Sequence, residues 1–235
     1  MAKYFSLSPN TFANDCKAAL ESYYGDGVAI ESASGTTIIF KVPAVCDKVL
    51  KFVKTTGGVN AYIGDTSSSM KQLSYSGGGT VTEFNLILSE AFILLDTVST
   101  SSYKDSVFIA KLTNGRYMAA GGTVASYNST YCANNKCCFT DTMVLRPIRF
   151  ICPYNLQVKS AGKLCLLPSF VADEQEIELN ADGTFASVPG LWLTTSNSTT
   201  PVVGSNYYLS TGNLHGLENE GVYCYTQKYV ELDME

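Results

Sequence analysis

From residue 28 onward the chain is a succession of short, β-branched or alternating segments, with turn residues recurring every 8–12 positions. That spacing is too tight for helices and matches antiparallel β-sandwich or barrel architecture. Thr36-Thr37-Ile38-Ile39-Phe40-Lys41-Val42 is rich in β-branched residues and stops at Pro43. Val49 to Lys54 alternates and is answered by Val59 to Ile63 across Gly57-Gly58, a hairpin turn. Val81, Glu83, Asn85 and Ile87 alternate again, and Phe92-Ile93-Leu94-Leu95 predicts a strand buried on both faces. Asn114-Gly115 lies between 107–112 and 116–119, the strongest short hairpin signal available. Strands are expected again at 143–145, 148–151, 156–158 and 164–167. A second hairpin is expected around Asn180-Ala181-Asp182-Gly183, then strands at 191–193, 207–209 and 222–225.

One helix precedes this series. Phe12, Ala13, Cys16, Ala19, Leu20 and Tyr23 recur at helical spacing, with Ser8 as cap, Pro9 in the first turn and Gly25 as the stop. The expected helix spans 9–24, and its face of Phe12, Cys16 and Leu20 covers a sheet or docks a neighbouring subunit. The segment 121–141 shows no clear period. It exceeds the usual connection of about 4–6 residues and reads as an irregular, Cys-containing connector. The expected organisation is a leader and docking helix at 1–25, a first β-sandwich lobe at 26–120, the connector at 121–141, and a second lobe at 142–235. The fold class is mainly β, an antiparallel sandwich of jelly-roll-like type with one N-terminal amphipathic helix.

Composition removes several kinds of chemistry. Sixteen Lys and Arg stand against 21 Asp and Glu, and charged residues are 16% of the 235-residue chain. Nothing resembles a basic nucleic-acid footprint or a polybasic membrane patch. The single histidine, His215, lies in no catalytic motif and excludes a multi-His metal site. The eight cysteines are too dilute for a disulfide scaffold, and Cys132, Cys137 and Cys138 lack zinc-ribbon spacing. Most cysteines sit in apolar surroundings and read as reduced core thiols, a disulfide closing the 132–138 loop being the alternative. Gly77-Gly78-Gly79 precedes a strand where a phosphate-cradling loop would need a helix. Acids such as Asp65, Asp141 and Asp182 occupy turn positions, which Asp favours for local backbone bonding. No cofactor and no metal are expected. The start carries no apolar h-region of about 7–15 residues, and no run reaches the ~20 residues of a membrane span. The expectation is a soluble chain without signal peptide or membrane insertion.

Fifteen tyrosines against one tryptophan leave a binding role open. Tyr207, Tyr208, Tyr223 and Tyr225 are the candidates for a surface row binding a glycan or a host receptor, with strand packing as the plainer account. A hydrolase built on a hidden acid pair, or on Cys with His215, is the third reading.

In overall habit the chain resembles accessory virion proteins of tailed bacteriophages. The matching features are the leader at 1–8, the helix at 9–24, and hydroxyl-rich loops at 65–69 and 194–200. The resemblance implies a β-sandwich without catalytic signature, assembled in the host cytoplasm into a head, neck, tail or baseplate. It implies other virion proteins and further copies of itself as partners. The expected function is that of a non-enzymatic structural protein that self-assembles or docks into a larger assembly.

Overall fold

A computed structural model describes residues 2–73, 79–100, 104–124, 136–145, 148–153, 166–173, 176–194, 207–210, 222–223 and 227–231. The protein is mainly β, and its strand pairs are antiparallel. Three sheets account for the strands.

The first sheet has five strands in chain order: β2 (Ala29–Ser34), β3 (Thr37–Lys41), β4 (Val49–Lys54), β5 (Val59–Thr66) and β6 (Ser69–Gln72). The second has six. β7 (Val81–Leu88), β8 (Phe92–Ser99), β9 (Lys104–Lys111), β10 (Tyr117–Val124) and β11 (Lys136–Phe139) follow one another, and β1 (Lys3–Leu7) lies outside β7. Within these two sheets consecutive strands run as meanders, except that β1 precedes the five-stranded sheet in sequence and pairs with β7 of the six-stranded one. The third sheet belongs to the C-terminal half. Its path is β16 (Tyr207–Ser210), β18 (Gln227–Glu231), β15 (Ser187–Thr194), β13 (Leu166–Asp173), β12 (Ile148–Pro153) and β17 (Val222–Tyr223). β14 (Glu176–Ile177) pairs with β13 off this path.

The helix α1 (Phe12–Tyr24) is shorter than its periodicity predicts, and the cause is local. Ser8 opens a turn instead of capping: its carbonyl accepts from Thr11 N at 3.3 Å and its Oγ from Asn10 N at 3.2 Å. Asp15, one turn inside the helix, reaches back. Its Oδ2 accepts from Thr11 Oγ1 at 2.7 Å and from Ser8 N at 3.0 Å. A carboxylate there also suits the positive end of the helix dipole. Gly25 ends the helix as expected.

Phe12, Cys16 and Leu20 are fully buried within the chain. They form one core with Ile38, Phe40, Leu50, Phe52 and Ile63 of the five-stranded sheet, and with Phe84, Leu86, Ile93, Leu95 and Ile109 of the six-stranded sheet. Phe12 meets Phe84 at 4.7 Å between ring centroids, and Phe40 meets Phe52 at 5.2 Å. The helix face proposed for docking is therefore consumed inside the molecule. Each such Phe contributes about 1.5–3 kcal/mol by leaving water. Residues 1–25 do not stand apart from the first lobe, since β1 extends its sheet and α1 completes its core.

The six-stranded sheet is buried on both faces. Opposite the helix-facing side, Ile87, Phe92, Leu94, Phe108, Ala110, Met118 and Ala120 are also buried. This is why 92–95 is continuously apolar where a half-exposed strand would alternate. Part of the cover comes from the C-terminal half: a Cβ on Gly190 would stand 3.8 Å from the Phe92 ring.

Two expectations change. The 121–141 segment is not irregular throughout: β10 runs to Val124, and β11 pairs with it from Met118↔Phe139 to Gly121↔Lys136. Residues 143–145 are not a strand. Met143 N donates to Phe139 O at 2.9 Å, closing a turn, and Met143 takes the left-handed φ of 51°. The expected strand at 156–158, and Cys132, His215, Tyr225 and Gly77-Gly78, lie outside the described residues. Among the described residues, no helix is long and apolar enough to cross a membrane.

Candidate docking site

The two halves of the chain meet at a polar clasp built from two hairpin turns. In the first, Leu112 N donates to Arg116 O at 2.8 Å and Gly115 N to Leu112 O at 2.9 Å. Gly115 takes φ +85°, which its lack of a Cβ permits, and Asn114 Oδ1 accepts from Arg116 N at 3.1 Å. In the second, Asn180 N donates to Thr184 O at 2.8 Å and Ala186 N to Glu178 O at 2.7 Å. Asp182 Oδ1 braces its tip, accepting from Thr184 N at 3.0 Å and Thr184 Oγ1 at 2.6 Å. These bonds hold the Asp182 carboxyl below the ordinary carboxylate range.

The turns are joined side by side. Thr113 N donates to Ser187 O at 2.9 Å, and Ser187 N returns a bond to Thr113 Oγ1 at 3.0 Å. Thr113 Oγ1 donates to Asn180 Oδ1 at 2.8 Å. Asn114 Nδ2 donates to Glu178 Oε2 at 3.0 Å and to Leu179 O at 3.2 Å. Arg116 is the centre. Its Nη1 donates to Glu178 Oε1 at 2.6 Å, while Nε and Nη2 grip Asp141 at 3.0 and 3.1 Å. The guanidinium lies 3.7 Å from the centre of the Phe139 ring. Partial burial alone would raise the Asp141 carboxyl, but the bonds and charge of Arg116 hold it below the usual range.

The exposed large hydrophobic residues among the described ones are Leu179 at 51%, Val144 at 51% and Phe185 at 37%, of which Leu179 and Phe185 belong to the second hairpin of the clasp. Leu179 adjoins Glu178 in sequence and bridges Phe185 across the hairpin, and Val144 follows Asp141 by three positions. With Arg116 satisfied by two carboxylates, the clasp is suited to presenting this apolar tip rigidly. Exposed apolar side chains grouped around a fixed polar frame are a common form of protein contact surface.

Of the four candidate tyrosines, the backbone of three is described, and Tyr225 lies outside the described residues. Tyr207 and Tyr208 lie on β16 and Tyr223 on β17, which are the opposite edges of the third sheet. At about 4.8 Å per strand step, the two edges are ~24 Å apart along the sheet. Near the N-terminus a second polar group is assembled. Tyr4 OH donates to Asn85 Oδ1 at 2.8 Å, and Ser6 Oγ bonds Glu83 Oε1. Burial, and then the Glu83 charge, push the Tyr4 phenol above its ordinary value. Asn85 pairs in register with Asp96, whose side chain is fully enclosed, so this network fastens β1 to the sheet rather than lining a cleft.

Cys16, Cys46 and Cys138 are free and buried. Burial pushes Cys16 and Cys46 up to about 12 and Cys138 to about 11, the opposite of what a nucleophilic thiol needs. Among the described residues, no group of three or more His, Cys, Asp or Glu side chains is placed to hold a metal ion.

Compared with family models and with curated proteins, the chain matches none of them.

Proposed function

We propose that this chain is a non-enzymatic structural subunit that associates with further copies of itself inside a larger protein assembly. The accessory virion proteins that it resembles supply the expected setting, a bacteriophage particle. The observation that carries this reading is the apolar tip of Leu179 and Phe185 on the hairpin held by the Arg116 clasp, with Val144 also exposed three residues beyond Asp141. Among the described residues nearly all large apolar side chains are buried or half-buried, and the exposed exceptions, Leu179, Phe185 and Val144, are best accounted for as groups that dock. The tip belongs to the C-terminal half, and Arg116, Thr113 and Asn114 of the N-terminal half hold its hairpin.

The test is the absolute mass of the purified full chain by light scattering across a concentration range, with and without reductant. A discrete oligomer, unchanged by reductant, is expected, and Leu179→Ser with Phe185→Ser should dissociate it while far-UV circular dichroism stays native. A strict monomer at every concentration, or an oligomer indifferent to the double variant, overturns the reading.

A further inference from the structure

We infer that the surface receiving this tip is the solvent face of the five-stranded sheet of a second copy. This rests on the self-associating reading just given and adds the partner patch. Alternation along β3, with Ile38 and Phe40 buried, turns Ile39 and Lys41 to the other side. Register carries the same face across the sheet: Ile39↔Lys51↔Tyr62 form one row, Val53 lies in the next, and Met70 stands opposite Gly64. The side chains of Ile39, Lys41, Lys51, Val53, Tyr62 and Met70 are half-buried, and Lys51 Nζ stands 5.2 Å from the Tyr62 ring centre.

The charge on this face runs against the rest of the chain. Acids outnumber bases 21 to 16 overall, yet the outward positions of β3, β4 and β5 within these rows carry Lys41 and Lys51 and no carboxylate. At the margins Glu31 sits at the β2 bulge, and Asp65 sits at the register shift of β5, bonded by Lys48 at 2.6 Å with Lys41 acting on it from further off. The docking tip has the complementary make-up: Leu179 and Phe185 flank the exposed carboxylate of Asp182 on one hairpin. Apolar groups flanked by cations thus face apolar groups flanking an acid. Edge pairing is the competing way to join such sheets, and both edges resist it. β2 is bulged between Ile30 and Ser32 with Glu31 at the bulge, and β6 is short, bears Lys71, and pairs across a second bulge. The tip and the face are different patches, so the contact either repeats head to tail, closing a ring or growing as an array, or is made twice across a two-fold axis.

The experiment measures the mass of the full chain by light scattering for wild type, Lys41→Glu/Lys51→Glu, Asp182→Lys, and the combination, each checked for native circular dichroism. Each reversal is expected to weaken association by about tenfold or more, because like charges then face one another. The combination should recover much of it, and added salt should weaken the wild type. If Leu179→Ser/Phe185→Ser dissociates the oligomer but the lysine reversal and the combination do not alter it, the receiving surface lies elsewhere. That result overturns this inference and leaves the self-association standing. If the lysine reversal leaves the mass unchanged but abolishes retention on a heparin column, the face binds an acidic polysaccharide and the inference is likewise overturned. A chain that is monomeric throughout removes both readings.

Discussion

Replacing Arg116 by Ala should cost far more than an ordinary surface substitution. The side chain makes three separable interactions. Asp141 is 56% exposed, so its two-pronged pair with Arg116 is screened by water and contributes about 0.5–1 kcal/mol. Glu178 is only 14% exposed, and a charged hydrogen bond in such a setting contributes about 1.5–3 kcal/mol. The guanidinium over Phe139 adds about 0.5–1 kcal/mol. Because these share one group they are not additive, and a loss of ~3 kcal/mol is the expected total. Urea unfolding of the wild type, Arg116→Ala, Glu178→Gln, Asp141→Asn and the two double variants gives the coupling energies directly. The Arg116–Glu178 coupling should exceed the Arg116–Asp141 coupling by roughly twofold or more, and only the latter should fade appreciably with salt. A total loss under ~1 kcal/mol, or the reverse order of couplings, would refute the argument that burial of Glu178 sets the strength of the clasp.

Three further outcomes are expected. Gly64→Ala should destabilise by ~2 kcal/mol or more, because its Cβ would fall 2.0 Å from Ser69 O and 2.9 Å from Met70 Cα, both backbone. Gly115→Ala, with open space but φ +85°, should lose only ~1–2 kcal/mol; equal losses in urea midpoints would contradict the distinction. In native protein at pH 8, Cys16, Cys46 and Cys138 should resist iodoacetamide and become reactive only on unfolding, as peptide mapping would show; rapid native labelling of any of them would be inconsistent with its enclosure. Asp141, Asp65 and Asp182 all have depressed folded-state values, so the stability they lend is complete above their unfolded value of about 4 and drains away as pH falls through the lower folded values. Urea midpoints should hold level down to about pH 5 and drop below pH 4, with Asp141→Asn blunting the drop; a decline that begins near neutrality would point to other groups.

What could be read in advance was what is local. The hairpins at Asn114-Gly115 and at 180–183, and the pairing of β4 with β5, follow from turn chemistry and alternation over a few residues. The short edge strands β1, β6 and β11 were missed. Four or five residues give too little periodicity, and strands such as Ser69–Gln72 exist only because a neighbour offers a ladder. Helical periodicity marks the face of Phe12, Cys16 and Leu20 as one that is covered, but it does not say whether the cover is the chain's own sheets, as here, or a neighbour. The docking site was almost invisible. Leu179 and Phe185 look like ordinary alternating strand residues, and Arg116 finds its partners 25 and 62 positions away. The one local hint was Asn180 to Gly183, which marks a protruding turn without saying that its flanks are apolar.

The sheet with two covered faces bears on how the protein can be divided and made. A recombinant fragment cut at residue 120, where composition suggests a boundary, would keep the helix and its side of the core. It would lose Gly190 from the face that carries Phe92, and Ser187 from Thr113. Such a fragment should be sticky and poorly expressed, and the matching C-terminal piece should lack a template. During synthesis, β1 leaves the ribosome first yet waits some 80 residues for β7, as the Tyr4–Asn85 bond shows. The N-terminal strand thus waits unpaired while the whole five-stranded sheet is made, whereas each of β8 to β11 can add to the strand made before it.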